Sequence, residues 1–460
     1  MLGAQSGFLD MDYELRVIVE KVSVSTQEVV KRNTLKVYDV KAPESILELG
    51  LRHEEQISLL EKVQNSLLAA QTKLIDTGYD RCPECGQKLH KRGFAQSKFH
   101  AVFTDHKVGI QKHKCCNSEC DWQSTPTTTS VFGTSIHPDL AKLQCQQGAL
   151  YSFRKAQTNL EKLNVHRRPV NNHNKIKLIT NEVGAALAQE NLKPSTVVED
   201  AFSAPEVILQ VDGGHIPIKD KDKRSFEALS AVAYRPENIQ TVDRHHRFLE
   251  RKSCALAAQD DGLVTIKTYT LNALRKQEMT ENTTVTALAD GALNCWSVVL
   301  SLEPHCKQLL CILDWFHIAM RFQNVGGAVE YADKETLERV KWTLWHGNPD
   351  EALSKLKILM TNVADDKRRS KLENLYDYLK NNQAYLVNYE EREQQNKTYT
   401  SQVAESHIES IINDRYKNSK KMQWTREGAH NVLQIRGMIT SNEWDDNWQT
   451  PVLSALVNAA

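Results

Sequence analysis

Residues 205–218 read PEVILQVDGGHIPI, an apolar run that leads into an acid and two glycines. Aliphatic and β-branched residues at this density predict a buried β-strand, with Asp212 where the strand reaches the protein surface. Residues 224–234 and 246–259 have similar patterns, so the three segments together predict a three-stranded meander. A single Asp-Gly pair is also typical of an ordinary turn.

A second segment repeats this pattern. Residues 283–296 read TTVTALADGALNCW, which predicts a short strand, then the pair Asp290–Gly291, then a helix. If the two strands are neighbours in one sheet, Asp212 and Asp290 meet at its edge, where carboxylate oxygens bind hard cations such as Mg2+. Two acids in matching positions favour a metal site over two unrelated turns.

A third short strand carries two further polar residues. Residues 309–317 read LLCILDWFH and follow Asp290 at the spacing of a strand–helix–strand unit. The spacing predicts that Asp314 and His317 lie near the same sheet edge. A charged residue in such an apolar run needs a partner.

Composition limits the classes of protein. The chain of 460 residues is 40% hydrophobic and 25% charged, which predicts two to four soluble globular domains. It has no apolar run of about 18 residues, so we expect no membrane span. The first residues lack the pattern of a secretory signal, so we expect a cytoplasmic protein. In that reducing compartment, clustered cysteines more often bind metal than form disulfides.

Charge is uneven along the chain. Residues 81–180 contain 16 Lys and Arg against 6 Asp and Glu, although the whole chain has a net charge of zero. Such a block indicates a module that binds a polyanion, or else a solvated lysine-rich surface.

The basic block contains two cysteine pairs. Cys82 and Cys85 form a C-x2-C pair, and Cys115 and Cys120 form a C-x4-C pair, for which Cys116 is an alternative member. The residues between the pairs alternate as strands do, which predicts a zinc ribbon with four thiolate ligands around one Zn2+. The alternative is four buried free cysteines.

The block ends in two predicted helices. Residues 152–163 and the residues from about 172 onward have helical periodicity, with a break at 164–169. Helix, turn and helix form a DNA-binding pattern, although any packed helix pair has the same period. The candidate DNA contacts around the second helix are Arg167, Arg168, Lys175 and Lys177.

Farther upstream, residues 44–75 predict one long amphipathic helix that packs on its own domain or mediates dimerisation.

In this order, the motifs resemble those of bacterial insertion-sequence transposases of the DDE type, in the Mutator-like group with an RNase H-like core. That group has an acid on the first strand, a second acid on the fourth strand, and a Cys-or-Asp-x-x-His motif on the strand after it. The matching residues here are Asp212, Asp290, Asp314 and His317. The group also has a zinc ribbon and a helix-turn-helix before the core and a helical insertion before its catalytic glutamate. Residues 318–400 match that insertion.

The third acid lies in residues 401–437, which resemble the last segment of the family. Glu405 and Glu409 are four residues apart and therefore share one face of a helix. We favour Glu405, because it begins the helix and precedes the segment of Arg415 and Trp424 as the family's glutamate does. Glu409 stays an alternative.

The resemblance implies DNA transposition by two-metal phosphoryl transfer. Mg2+ or Mn2+ would be held by Asp212, Asp290 and Glu405, with Asp314 and His317 in support. The implied partners are transposon ends and target DNA. We expect them to be bound by a homo-oligomer, as a dimer on DNA, in a bacterial cytoplasm and associated with the nucleoid. Two other classes stay open: an RNase H-fold structure-selective nuclease, and a zinc-ribbon and helix-turn-helix regulator without catalysis.

The predicted fold class is α/β: an RNase H-like core, with a mixed sheet and flanking helices, that carries an all-helical insertion. The predicted segments are an N-terminal helical region (1–78), the zinc ribbon (79–135), the helix-turn-helix (136–195), the first part of the core (203–320), the insertion (321–400), the final core helices (401–440) and a C-terminal tail (441–460).

Overall fold

The computed structural model is a mixed α/β protein, and it describes residues 13–220, 223–241, 243, 247–327, 330–402, 410–417 and 422–458. The chain divides into two compact units. The first consists of residues 1–147, 153–179 and 452–460, and the second of residues 148–152 and 180–451. The division cuts through the predicted helix-turn-helix domain at 136–195, because residues 180–195 belong to the second unit. Among the described helices, none has the length and apolarity that crossing a membrane requires.

The first unit begins with an antiparallel hairpin of β1 (Tyr13–Val22) and β2 (Val29–Val40). The prediction of a helical region over 1–78 is therefore wrong for these residues. Their sequence explains the difference, because YELRVIVEKV alternates with period two and is rich in β-branched residues, which favour strands.

The predicted N-terminal helix exists but is shorter than expected. Helix α1 (His53–Gln71) begins nine residues after position 44, where the Glu55 side chain accepts a hydrogen bond from the Arg52 backbone N–H at 2.9 Å. This bond satisfies one of the free N–H groups at the helix start. The helix contacts the hairpin of residues 89–115, which we call the ribbon hairpin, since Asn65 Oδ1 lies 2.7 Å from Nδ1 of the buried His106.

The cysteine pairs flank a second antiparallel hairpin, β3 (Leu89–His100) and β4 (Asp105–Cys115), as the alternating spacer predicted. The two predicted helices after it are confirmed as α4 and α5. Apolar side chains of Ala156, Leu160 and Ile176 pack together between them. The helices that follow the hairpin are α2 (Thr128–Phe132), α3 (Pro138–Leu150), α4 (Phe153–Glu161) and α5 (His173–Leu192).

The second unit contains a five-stranded mixed sheet in the order β11-β10-β5-β6-β9. Strands β5, β10 and β11 are parallel, whereas β6 is antiparallel to both β5 and β9. The strands are β5 (Glu206–Pro217), β6 (Ser225–Tyr234), β9 (Ser253–Ala257), β10 (Thr284–Ala289) and β11 (Gln308–Leu313). The predicted meander of three strands is confirmed by β5, β6 and β9, but the segment 246–259 contains two strands and not one. Its first part, β8 (Arg247–Leu249), pairs with β7 (Ile239–Thr241) in a separate hairpin.

Helices make up most of the remaining chain. They comprise α6 (Val264–Lys276), α7 (Leu293–Leu300), α8 (Trp315–Gly326), α9 (Tyr331–Trp345), α10 (Pro349–Asn362), α11 (Asp366–Asn381), α12 (Tyr389–Gln394), a π-helix (Ser410–Lys417), α13 (Arg426–Thr440), α14 (Trp444–Asn447) and α15 (Gln449–Asn458). The described part of 318–400 is helical, as predicted. The predicted C-terminal tail contains α14 and α15.

One hydrophobic core joins the sheet to the helices that follow it. The parallel strands β5 and β10 read as nearly continuous apolar runs, because both faces of a central parallel strand are covered. Aromatic packing extends the core into the helices. The Trp315 ring lies 4.8 Å from the ring of Trp345 and 4.7 Å from that of Tyr389, measured between centroids.

Candidate functional site

Three aspartates lie at one level across three neighbouring parallel strands. The residue before each aspartate is paired across the sheet, because Ala289 in β10 pairs with Val211 in β5 and with Leu313 in β11. The residues that follow these three are Asp212, Asp290 and Asp314. Since neighbouring strands are about 4.8 Å apart, this pairing brings the three acids to the same edge of the sheet. The predicted adjacency of the Asp212 and Asp290 strands is confirmed.

Asp212 is not at the end of its strand. Strand β5 continues to Pro217 with β6 as its partner, whereas its pairing with β10 stops at Val211. The end of β10 therefore defines the sheet edge at this point, and the two glycines after Asp212 lie inside the longer β5–β6 pair.

The register also identifies the sheet face of Asp212. Asp212 pairs with Ser230, which pairs with Leu256, so these side chains share one face. Gly214, two residues farther along β5, is on that face as well. A Cβ on Gly214 would lie only 2.7 Å from Cδ1 of Ile412 in the π-helix, so this glycine permits the close approach of the helix.

Asp290 is held by the loop that it begins and by α11. Its Oδ1 accepts a hydrogen bond from the Ala292 N–H at 2.9 Å, and its backbone carbonyl accepts one from the Tyr378 hydroxyl at 3.0 Å. Gly291 has a φ of 95°, and a Cβ there would lie 2.7 Å from the Tyr378 ring. Glycine is thus required both by the backbone conformation and by the neighbouring ring.

Asp314 is the N-cap of α8 and is almost completely buried, with 1% of its surface exposed. Its Oδ1 accepts hydrogen bonds from the backbone N–H groups of Phe316 at 3.1 Å and Ser401 at 2.9 Å. Its Oδ2 has no hydrogen-bond partner among the described residues. His317 Nε2 lies 3.6 Å from that oxygen, on the next turn of the helix.

The acids perturb one another electrostatically. Burial raises the pKa of Asp212, and the negative charges of Asp290 and Asp314 raise it further, while His317 opposes the shift. Burial also raises the pKa of Asp314, against the influence of His317 and of the N–H groups that bind its carboxylate. A cation at this edge would relieve the repulsion, so the residue types and their charges suit a divalent metal.

The segment that contains the candidate third acid has one anchored residue on each side of it. Before the segment, the Ser401 N–H binds Asp314, and after it, Ile412 packs on Gly214. The π-helix is held in turn by Arg436, whose Nε donates to the Ile411 carbonyl at 2.7 Å. Glu405 and Glu409 themselves lie outside the described residues.

Sequence reasoning did not identify Ser401, Ile412 or Arg436. Ser401 contributes a backbone N–H, which any residue except proline provides, so no side-chain signal marks it. The second glycine of the Asp-Gly-Gly run was the available signal for the close approach of Ile412.

The four predicted cysteines form a cluster in the first unit. The sulfur atoms of Cys82, Cys85, Cys115 and Cys120 all lie within 4.8 Å of one another. The Sγ–Sγ distances are 3.7 Å for Cys82–Cys120 and 3.4 Å for Cys85–Cys115. A tetrahedral zinc with Zn–S bonds of about 2.3 Å needs sulfurs about 3.8 Å apart, so the cluster fits this ion.

The alternative ligand Cys116 is outside the cluster, and its sulfur lies 3.6 Å from His90 Nδ1. The backbone N–H of Gln87 and the thiol of Cys115 lower the pKa of Cys85 to about 7, which favours the thiolate that binds metal. Nowhere else in the described part of the chain do three or more His, Cys, Asp or Glu ligand atoms gather so closely. The aspartates at the sheet edge are therefore more widely spaced than the thiols.

The four predicted DNA contacts have different environments. Lys175 and Lys177 are exposed on α5, and Arg167 is exposed beside Glu161. Arg168 does not fit its predicted role. Its guanidinium is buried, binds the Asp105 carboxylate and donates to several backbone carbonyls, so its charge is used within the protein.

Comparison with protein families gives one match. The model of an uncharacterised protein family, UPF0236, matches residues 141–445, which include the whole sheet and the three aspartates. No curated protein matches the chain.

Proposed function

Because the chain belongs to UPF0236, a family described as uncharacterised, we propose its function from the site itself. We propose that the protein is a DNA transposase that cuts and rejoins transposon ends by divalent-metal-dependent phosphoryl transfer. The observation that carries the proposal is the row of three aspartates across adjacent parallel strands. Acids from three separate chain segments at one sheet edge suit a metal site better than they suit three unrelated turns.

Strand order supports an RNase H-like core. Along the chain, the sheet consists of three antiparallel strands, β5, β6 and β9, followed by β10 and β11, which lie parallel to β5 on its other side. The expected RNase H-like core has its acids on the first and fourth of these strands. Those strands are β5 with Asp212 and β10 with Asp290. Helices α9–α12 between β11 and the final helices match the helical insertion of the transposase group.

We propose Glu405 as the third acid and keep Glu409 as its alternative. The support is the position of the flanking residues, because Ser401 binds Asp314 and Ile412 packs beside Asp212 on the same sheet face. A chain segment with both ends at the carboxylates is well suited to supply another ligand. A glutamate from this segment would complete the set of metal ligands, of which the widely spaced aspartates form only a part.

In this mechanism, Asp212 and Asp290 would hold Mg2+ or Mn2+ together with the glutamate. When bound, the ions would activate the attacking oxygen and stabilise the charge on the leaving oxygen. Asp314 and His317 would support the ligands. Asp314 fixes the start of α8 and the chain at Ser401, and His317 places its Nε2 3.6 Å from Oδ2 of Asp314.

The first unit would recognise DNA. In the proposal, Zn2+ in the cysteine cluster is structural, and Arg167, Lys175 and Lys177 contact the DNA backbone. Arg168 instead fastens the turn between α4 and α5 to the ribbon hairpin. We further propose that the protein acts in the cytoplasm as a dimer on DNA, as the transposases it resembles commonly do.

The two competing classes make different predictions. A structure-selective nuclease would use the same acids and would leave cut ends unjoined. A regulator without catalysis has no need of three acids at one sheet edge. In the genome, terminal inverted repeats and a short target duplication around the gene would favour the transposase.

The test is a plasmid assay with the full-length, zinc-loaded protein. The donor plasmid carries the gene with its native flanks, and a second plasmid serves as target. We expect Mg2+-dependent cleavage at the flanks and joined products in the target. Because Asp212 and Asp290 are proposed metal ligands, D212N and D290N should lower both yields by orders of magnitude.

Asp366→Asn is the matched control, since Asp366 is a largely exposed aspartate of α11 far along the chain from the acids. Cleavage without joining would indicate the nuclease. Normal activity of folded D212N and D290N would refute the carboxylate mechanism.

A further inference from the structure

The strands of the ribbon hairpin carry a second charged surface, in addition to the basic residues of the α4–α5 region. Strands β3 and β4 span residues 89–115, which contain six Lys and Arg residues and a single acid, Asp105. The carboxylate of Asp105 already has two partners, because it binds Arg168 and lies 2.8 Å from His100 Nδ1. The positive charge of the hairpin is therefore not neutralised by acids of its own strands.

The register separates the two faces of the hairpin. On one face, His106, Val108 and Ile110 are buried. On the other face, Phe94, Gln96 and Lys98 alternate along β3, and each is exposed. We call this second face the outer face of the ribbon.

Two lysines stand directly opposite each other on the outer face. Lys98 pairs with Lys107 in the register, and both are exposed. Like charges opposite each other across two strands destabilise the pair. A phosphate between them would turn this repulsion into attraction, so the pair suits an anionic ligand.

The middle of the outer face carries an exposed aromatic ring. Phe94 is 47% exposed, and the backbone of Gly109 lies beneath it, since a Cβ on that glycine would be 3.3 Å from Phe94 Cβ. Gln96 is the exposed neighbour of Phe94 on the same face. An apolar ring and an amide are the groups that contact a thymine methyl and an adenine edge in the major groove of DNA.

Beyond Phe94, a bulge brings more positive charge. The register shifts between Lys91 and Phe94, Gly93 has a φ of 65°, and its carbonyl accepts a hydrogen bond from Gln111 at 2.8 Å. Lys91 and Arg92 are both exposed at this bulge. Bulges bend and twist a strand, which re-aims the side chains next to them.

From these contacts we propose that the outer face of the ribbon is a docking surface for duplex DNA. The hairpin lies in the major groove, with Phe94 and Gln96 toward the bases. Lys91 and Arg92 reach the phosphates on one side, and Lys98 and Lys107 those on the other. Lys91 and Lys98 are about 20–24 Å apart along a strand, enough to cross a groove of about 12 Å.

This surface adds to the proposed function but does not depend on catalysis. It is tested by binding of the full-length, zinc-loaded protein to a fluorescent mixed-sequence duplex without Mg2+, over a range of salt concentrations. Failure here would leave the cleavage assay unaffected, and failure of cleavage would leave this measurement intact.

The decisive variant is K98Q/K107Q, which removes two phosphate contacts and leaves polar, uncharged side chains in their place. We expect the slope of log K against log salt to become shallower by about 2, and affinity at 0.1 M salt to fall roughly 10- to 60-fold. The matched control is K41Q/K73Q, which removes two exposed lysines from the acidic first eighty residues. An unchanged slope in K98Q/K107Q, or an equal effect in the control, would overturn the proposal.

Phe94→Ala tests the contribution of base contacts to DNA affinity separately from that of the positive charges. We expect it to lower affinity about tenfold at every salt concentration without changing the slope, because it removes no phosphate contact. Full zinc content and an unchanged circular dichroism spectrum would show that the hairpin is intact. Normal affinity of F94A, or equal affinity of the protein for the single strand of the same sequence, would refute docking in the major groove.

Discussion

Asp314 serves two purposes at the level of the single residue, because it caps a helix and also lies among the acids. An asparagine there can still accept the N–H bonds of Phe316 and Ser401 through its oxygen, so D314N should fold. It cannot carry the negative charge. We expect donor cleavage by D314N to fall about 10- to 100-fold. The unfolding midpoint of the same preparation shows whether the variant is folded.

Asp365→Asn is the matched control, because Asp365 caps α11 by accepting the Arg368 N–H at 2.8 Å, outside the acid cluster. If D314N cleaves as well as the wild type, Asp314 only braces the strand and helix. Full activity of folded His317→Ala would assign His317 the same structural role.

The choice between Glu405 and Glu409 is a prediction of its own. We expect E405Q to lose donor cleavage by orders of magnitude, because it would remove a metal ligand, and E409Q to retain most of it. The measurement is strand cleavage in Mg2+ by variants that still bind the end DNA. Glu427→Gln, an exposed change in the first turn of α13, is the control.

Two outcomes would change the assignment. A dead E409Q beside an active E405Q would move the ligand by one helical turn. Normal cleavage by both variants would remove the glutamate from the mechanism.

At the level of the element, the ribbon hairpin should depend on its metal. We expect one zinc per chain by elemental analysis and its loss in Cys115→Ser, since a structural site contributes its binding free energy to folding. Cys116→Ser is the neighbouring control and should retain the zinc, because the Cys116 sulfur is outside the cluster. Zinc-free wild-type protein, purified without chelator, would contradict the prediction.

The elements differ in how far the sequence predicted them. The strands with Asp212, Asp290 and Asp314 are apolar runs marked by a polar residue, so the local pattern was sufficient to locate them. It did not show that β5 continues past Asp212 to Pro217. The β1–β2 hairpin differs from the prediction of a helical region, because the helical period of residues 44–75 carries no information about the residues before it. The β7–β8 hairpin was missed because its strands have only three residues each.

Contacts between distant residues were beyond sequence reasoning. The bond from Ser401 to Asp314 joins positions 87 residues apart, and nothing in either local sequence encodes it. Arg168 was misassigned for the same reason. Its sequence neighbours are basic, but its partner Asp105 lies 63 residues away.

For the whole molecule, pH sensitivity should come partly from His430 in α13. It is buried, and its Nδ1 accepts the Ala258 N–H at 3.2 Å, which requires a neutral ring nitrogen. Burial lowers its pKa to about 4 from an ordinary value of 6.5. Between these values the unfolded chain takes up a proton that the folded protein does not, so stability falls as the pH decreases.

We expect the free energy of unfolding to lose about 2 kcal/mol from this residue between pH 7.5 and pH 5, measured by urea denaturation. His430→Gln should be less stable at pH 7.5 and should have a smaller loss toward pH 5. His346→Gln, at an exposed histidine of the same unit, is the control. An equal pH dependence in H430Q and the wild type would contradict this origin.

The backbone N–H of Trp315 donates to the carbonyl of Tyr399 at 3.3 Å, so the chain leaves the sheet edge and returns to it at one point. The chain between Trp315 and Tyr399 is therefore one loop that is closed at its base. Doubling the length of such a loop costs only about 0.6 kcal/mol in closure entropy. During evolution, this loop can therefore lengthen or shorten while the positions of the three aspartates stay unchanged. We expect family members to vary in length mainly between these two residues, and rarely between Asp212 and Asp314.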